Sequence, residues 1–236
     1  MSVTIKSEHE IELMREAGRL LAMMHEELHK EIKPGMSTWD IDHLGETIIR
    51  DYGCTPNFLN YNGYPASVCT SVNDEVVHGI PSKKRILQEG DIISLDCGLI
   101  YKGYHSDAAR TWGVGEISAE AQRLIDVTKQ SFFEGIKFAK AGNHLFDISG
   151  AIGRYAEERG YGVVRDLCGH GIGTALHEAP EIPNYEVGRK GVRLRPGMTL
   201  AIEPMINIGT HEVDWLDDDW TCLLYTSPSP RDRQKS

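Results

Sequence analysis

Apolar residues Ile11, Met14, Ala17, Leu21, Met24 and Leu28 recur at helical spacing, and Ser7 followed by Glu10 supplies the capping-box pair that starts such a helix. Lys33-Pro34-Gly35 ends it. The same logic predicts a second helix from about Thr38 to Asp51, closed by Gly53. From there to Pro81 the chain turns polar, aromatic and punctuated by Gly and Pro, a pattern of strands and loops. The stretch DIISLDCGLIYKGYHSDAARTWGVG then alternates, is β-branched and carries a Tyr101-Lys102-Gly103 turn, which predicts an antiparallel hairpin. Helical period returns over 118–140, with Ala121, Ile125, Phe132 and Ile136 on one face, and Lys140-Ala141-Gly142 stops it.

The two helix stops match. KPGMSTWDI at 33–41 and KAGNHLFDI at 140–148 share Lys, Gly, Asp and Ile at a constant offset of 107, and Gly53 and Gly160 keep that offset. So do GDIISLD from Gly90 to Asp96 and GMTLAIE from Gly197 to Glu203, where a glycine opens an apolar strand that ends in a carboxylate. We read this as an internal duplication, each half giving two helices followed by strands. Packing the halves about a pseudo-twofold brings Asp96 and Glu203 toward one central cleft, where two anions repel unless a cation lies between them.

Composition narrows the class. With 236 residues, 40% hydrophobic and 25% charged, the chain is globular rather than disordered or fibrous. The longest apolar run, Leu20 to Met24, is too short for a membrane span, and MSVTIKSEHE lacks a signal-peptide core, so a cytoplasmic protein is expected. A formal charge of −10 disfavours nucleic acid as a partner. Five scattered cysteines, never spaced as CxxC, read as reduced thiols and not as a disulfide framework.

Candidate chemistry gathers on a few residues. Asp96 and Asp107 flank the hairpin turn and can share one face of adjacent strands, a carboxylate pair suited to divalent cations. An isolated pair of this kind is commonly a turn cap and a surface acid, but Asp96 follows the buried-looking Ile92-Ile93-Ser94-Leu95. In GHGIG, His170 sits between glycines that let the backbone pass close to a site, and His177 follows in LHEAP. With His78 in VHGIP and Glu203 in AIEPM, the set Asp96, Asp107, His170 and Glu203 suits manganese, iron, cobalt or zinc. No GxSxG elbow, Walker loop, HExxH helix or GxGxxG motif competes, which leaves metal-assisted hydrolysis.

In this order, VCTSVNDEVVHGIP, DIISLDCGLIYKGYHSDAARTW, GHGIGTALHEAP and MTLAIEPM resemble the type I, bacterial-type methionine aminopeptidases over residues 1 to about 221. The resemblance implies an α/β (α+β) pita-bread fold, two related halves around a curved antiparallel sheet, with two divalent metal cations in the cleft. It implies that Asp96, Asp107, His170 and Glu203 are four of five protein ligands. His78 and His177 then position the scissile amide and stabilise the tetrahedral intermediate, and Glu203 also relays a proton. Phe58, Tyr61, Tyr64, Cys69 and Trp220 fall at or near the pocket for the methionine side chain, whose thioether suits aromatic edges and a soft sulfur neighbour. The implied substrates are nascent polypeptide N-termini with a small second residue, met in the cytoplasm and at the ribosome by a monomer.

Past Thr221 the text CLLYTSPSPRDRQKS departs from the family and carries no strand pattern. Residues 222–236 are therefore expected to form an unrelated, disordered or artefactual tail, with the last sheet strands missing. The fifth ligand, a bridging Glu, is unassigned: counting reaches Gln234, in unrelated context. A weakened second metal site and impaired activity follow as expectations. The rival readings are a proline-specific peptidase of the same fold, which usually carries a large N-terminal domain, and a catalytically silent pita-bread protein that binds peptides or partners.

Overall fold

The computed structural model describes residues 2–225. Helix α1 (Glu8–Glu31) starts at Ser7, whose hydroxyl accepts from the Glu10 amide while the Glu10 carboxylate accepts from the Ser7 amide. Ser37 and Asp40 repeat this box at the start of α2 (Thr38–Asp51). The short strand β1 (Thr55–Pro56) and a 3₁₀ turn at Tyr61–Gly63 lead to β2 (Val68–Val72) and β3 (Glu75–Val77). The expected hairpin is β4 (Ile92–Tyr101) and β5 (Tyr104–Gly113), in antiparallel register with Gly98 opposite Asp107 and Asp96 opposite Ala109. Against this sheet α1 and α2 bury Leu21, Met24, Leu28, Ile41 and Ile49, which join Ile93, Leu95 and Leu99 in one core.

The second half repeats the plan with α3 (Ala119–Ile136) and α4 (Leu145–Glu157). Its strands are β6 (Tyr161–Val163), β7 (Gly169–Gly171), β8 (Glu178–Ile182), β9 (Leu200–Ala201), β10 (Ile206–Ile208), β11 (Val213–Trp215) and β12 (Cys222–Leu224). All strand pairings are antiparallel, in the orders β1-β4-β2 with β5 on β4, β10-β6, β11-β12-β3 and β8-β7-β9. On α3 the buried face is Val127, Ser131 and Gly135, while Ala121, Ile125, Phe132 and Ile136 are only partly buried. The small side chains of Ser131 and Gly135 let α4 pack close through Ile148 and Ile152, a contact that hydrophobic spacing alone does not encode.

The duplication is written in the backbone hydrogen bonds as well as the letters. Gly35 donates to Leu87 and Gly142 to Leu194; Leu87 donates to Met36 and Leu194 to Asn143; each matching residue lies 107 further along. The isolated bridges Ser37–Ile86 and His144–Arg193 keep the same offset. Each half thus pins the start of its second helix to the segment leading into its strand, Ile92 or Leu200.

The end of the described chain corrects one expectation. Cys222–Leu224 forms a strand between β11 and β3, although the sequence there shows no alternation. Cys222 is fully buried, and Leu224 donates to the Asp74 carbonyl, so three apolar residues pair where a gap between two strands admits them. Gln234 lies outside the described residues. No described helix is long and apolar enough to cross a membrane.

Candidate metal and peptide site

Asp107 and Asp96 project from the same face of the hairpin, offset by two residues, because Asp107 is opposite Gly98 and side chains two apart share a face. The two carboxyl groups lie close enough for each to feel the other's charge. His170 enters from β7, whose glycines are required sterically: a Cβ at Gly169 would lie 2.3 Å from the Ala201 carbonyl oxygen, and one at Gly171 would lie 2.2 Å from that of Ala179. Glu203 follows β9, and its carbonyl accepts from the buried Asn184 amide at 2.8 Å.

These elements converge. His170 Nε2 lies 3.4 Å from Asp107 Oδ2 and 3.2 Å from Glu203 Oε1. One donor atom from each of Asp107, His170 and Glu203 lies within 4.8 Å of the others, and Asp96 adjoins the group through Asp107. Both halves contribute, as the duplication predicts. Burial, then repulsion from Asp107 and Glu203, pushes the Asp96 carboxyl well above the usual range; burial, with Asp107, also raises Glu203. Burial opposes protonation of His170, yet Asp107 and Glu203 outweigh it and raise the imidazole to about 10.

A cation fits this arrangement. His170 Nδ1 is 2.8 Å from the Gly171 carbonyl, so Nδ1 carries the proton and Nε2 faces the acids, the usual orientation of a metal-binding histidine. Buried Glu203 Oε1 has no hydrogen-bond partner among the described residues; although near Nε2, it lies off the line of a hydrogen bond. Oxygen-rich donors with one imidazole suit borderline divalent ions.

Two further histidines lie around the cluster. The His177 ring centroid is 4.1 Å from that of His170, and its Nδ1 is 2.7 Å from the Tyr61 hydroxyl. Burial lowers the pKa of both His177 and His78, with positive His170 adding to the shift at His177, so both imidazoles favour the neutral form. His78 sits at φ 59°, a left-handed conformation uncommon for a side chain of this size, with the Trp220 ring edge-on at 6.3 Å. Next to His177, Glu178 pairs with Lys6, both side chains largely buried.

All five expected pocket residues meet in one apolar cluster: Phe58, Tyr64 and Cys69 are buried, with Tyr61 and Trp220 packed against them. Tyr64 meets Trp220 edge-on at 5.1 Å and donates to the Gly79 carbonyl. Ile172, Leu176 and Ala201 also belong to the cluster and were not singled out from sequence. Their position was the available signal, since each stands one or two residues from His170, His177 or Glu203.

Fold and site together define a peptidase that gathers carboxylates and an imidazole between two repeated halves. The model of metallopeptidase family M24 matches residues 12–221, and the chain belongs to that family. It is 54% identical over 221 residues to a methionine aminopeptidase of Clostridium acetobutylicum, covering 94% of this chain and 88% of the relative. Methionine aminopeptidase 1 of Bacillus subtilis is 49% identical, with coverage of 94% and 89%. The crystal structure of a methionine aminopeptidase from Thermotoga maritima superposes with a TM-score of 0.93 at 43% identity, covering 95% of this chain and 90% of that one. An Xaa-Pro dipeptidase from Bacillus anthracis gives 0.73 at 27% identity, and the match covers 93% of this chain but only 57% of that enzyme. The α+β architecture is the pita-bread fold of these proteins.

Proposed function

We propose that the protein removes the N-terminal methionine from peptides and nascent polypeptides whose second residue is small. One observation carries the reading: the donors of Asp107, His170 and Glu203, with Asp96 beside them, adjoin an apolar cluster of Phe58, Tyr61, Tyr64, Cys69 and Trp220. His177 bridges the two groups, touching His170 on one side and Tyr61 on the other. Asp96, Asp107, His170 and Glu203 would hold two divalent cations, Co, Mn, Fe or Zn, the second less tightly because four side chains serve both. Bound there, such ions supply Lewis acidity that polarises a peptide carbonyl and makes water a better nucleophile at neutral pH.

The remaining work belongs to the chain. The aromatic and thiol side chains take the unbranched thioether by dispersion and sulfur–aromatic contact. Tyr61 and His177 share a hydrogen bond at Nδ1. With the phenol as donor, Nε2 keeps the proton and can donate to the scissile carbonyl as negative charge develops. His78, neutral and beside Trp220, orients the peptide amide, and Glu203 passes a proton to the departing amine. In this reading the catalytic domain continues through β12, whose pairing with β3 and β11 ties Cys222–Leu224 to it, and a cytoplasmic monomer meets its substrates as they leave the ribosome.

Methionine release from Met-Ala-Ser, Met-Lys-Ser and an X-Pro peptide, with added manganese or cobalt, tests the reading. Release from Met-Ala-Ser alone, lost on chelation, is expected. Cleavage of the X-Pro peptide instead would favour the proline-specific alternative, and no cleavage of any peptide would leave a binding protein.

A further inference from the structure

The carbonyls on both sides of Asp107 are held by buried side chains that no recognised motif contains. Asn57 Nδ2 donates to the Ser106 carbonyl at 3.0 Å, and His25 Nε2 lies 2.8 Å from the Ala108 carbonyl, to which it can only donate. Both residues are nearly inaccessible, His25 at 3% and Asn57 at 5% exposure. They come from separate elements, α1 and the segment after β1, so the two hydrogen bonds are independent.

Each bond has its own support. Asn57 also donates its backbone amide to Gly98, the residue opposite Asp107, and its side chain crosses directly over that glycine. A Cβ at position 98 would lie 2.6 Å from Asn57 Nδ2 and 2.9 Å from the Ser106 oxygen, so the bond exists only because residue 98 is glycine. His25 sits against Trp112 at 5.6 Å between centroids, and burial lowers its pKa to about 4, which keeps the ring neutral with its proton on Nε2. Its Nδ1 has no partner among the described residues, consistent with an unprotonated nitrogen there.

Asn57 holds the peptide plane that joins Ser106 to Asp107, and His25 holds the plane that follows Ala108, so the two anchors bracket Asp107 and confine the path of β5 through it, and with that path the direction of its Cα–Cβ bond. The geometry points to His25 and Asn57 as positioning residues that aim the Asp107 carboxylate at the ion it shares with His170 and Glu203, a role that rests on the metal reading above. They touch neither ion nor substrate, and they act through the backbone of β5.

Calorimetric titration with Mn²⁺ at 25 °C, alongside melting temperatures, tests this in the parent and in His25→Leu, His25→Gln and Asn57→Ala. Losing a partner that orients a metal ligand weakens affinity about ten- to hundredfold. That loss is expected for His25→Leu and Asn57→Ala, whereas His25→Gln, which retains a donor at the Nε position, stays close to the parent. If Asn57→Ala does not fold, the two His25 variants decide. Parent-like affinity in His25→Leu, even with a lowered melting temperature, would overturn the inference, as would equal losses in His25→Leu and His25→Gln. A parent that takes up no Mn²⁺ would remove the metal reading itself and this inference with it.

Discussion

His25 shows how a single buried residue links stability to pH. Its pKa falls from 6.5 to about 4 in the fold, chiefly through burial, so between those values the unfolded chain binds a proton that the folded chain does not. Its contribution is therefore complete above pH 6.5 and is lost as pH falls toward 4. Urea unfolding at pH 7 and pH 5 should show His25→Gln losing about 2 kcal/mol less stability than the parent over that interval. Equal losses in both would mean that the parent already protonates His25 in the fold. Sequence cannot flag such a residue: His25 lies on the apolar stripe of α1 with no motif around it, and its partner, the Ala108 carbonyl, is 83 positions away. The candidate metal-site residues were legible because of their local frames, His170 between glycines and Asp96 and Glu203 six residues after matching glycines, although Asp96 proves to lie within β4 and not at its end as expected.

At the scale of elements, the sequence is most informative where a local rule is also the tertiary rule. The capping box at Ser7 and the hairpin about Lys102-Gly103 appear as expected, and Ser37 adds a second box of the same kind, since such hydrogen bonds close within a few residues. The buried face of α3 and the strand at Cys222–Leu224 were not legible, because a partner distant in sequence determines each: α4 for the first, β3 and β11 for the second. The N-terminal segment shows the same dependence. Lys6 donates its amide to Gly197 and its ammonium to Glu178 at the start of β8, so a residue ahead of α1 secures the strand that follows His177. Lys6→Met leaves Glu178 without its cation and should cost about 3–5 kcal/mol, measured by denaturant unfolding. A change under about 1 kcal/mol would show that the pair behaves like an exposed surface bridge.

The molecule as a whole is two copies of one plan whose equivalent acids, Asp96 and Glu203, are brought to one cluster. Asp96 and Asp107 come from the first half, His170 and Glu203 from the second, and in isolation each would be an ordinary acid or imidazole. Brought together, the Asp96 and Glu203 carboxyls are pushed toward the neutral form and His170 is pushed up to about 10, the electrostatic mark of a site built around positive charge. An anomalous-scattering map from crystals soaked in Mn²⁺ tests this most directly. It should show density at ligand distance from Asp107, His170 and Glu203, with Asp96 adjoining. Manganese bound only at surface carboxylates, with this cluster left as it stands, would contradict the account.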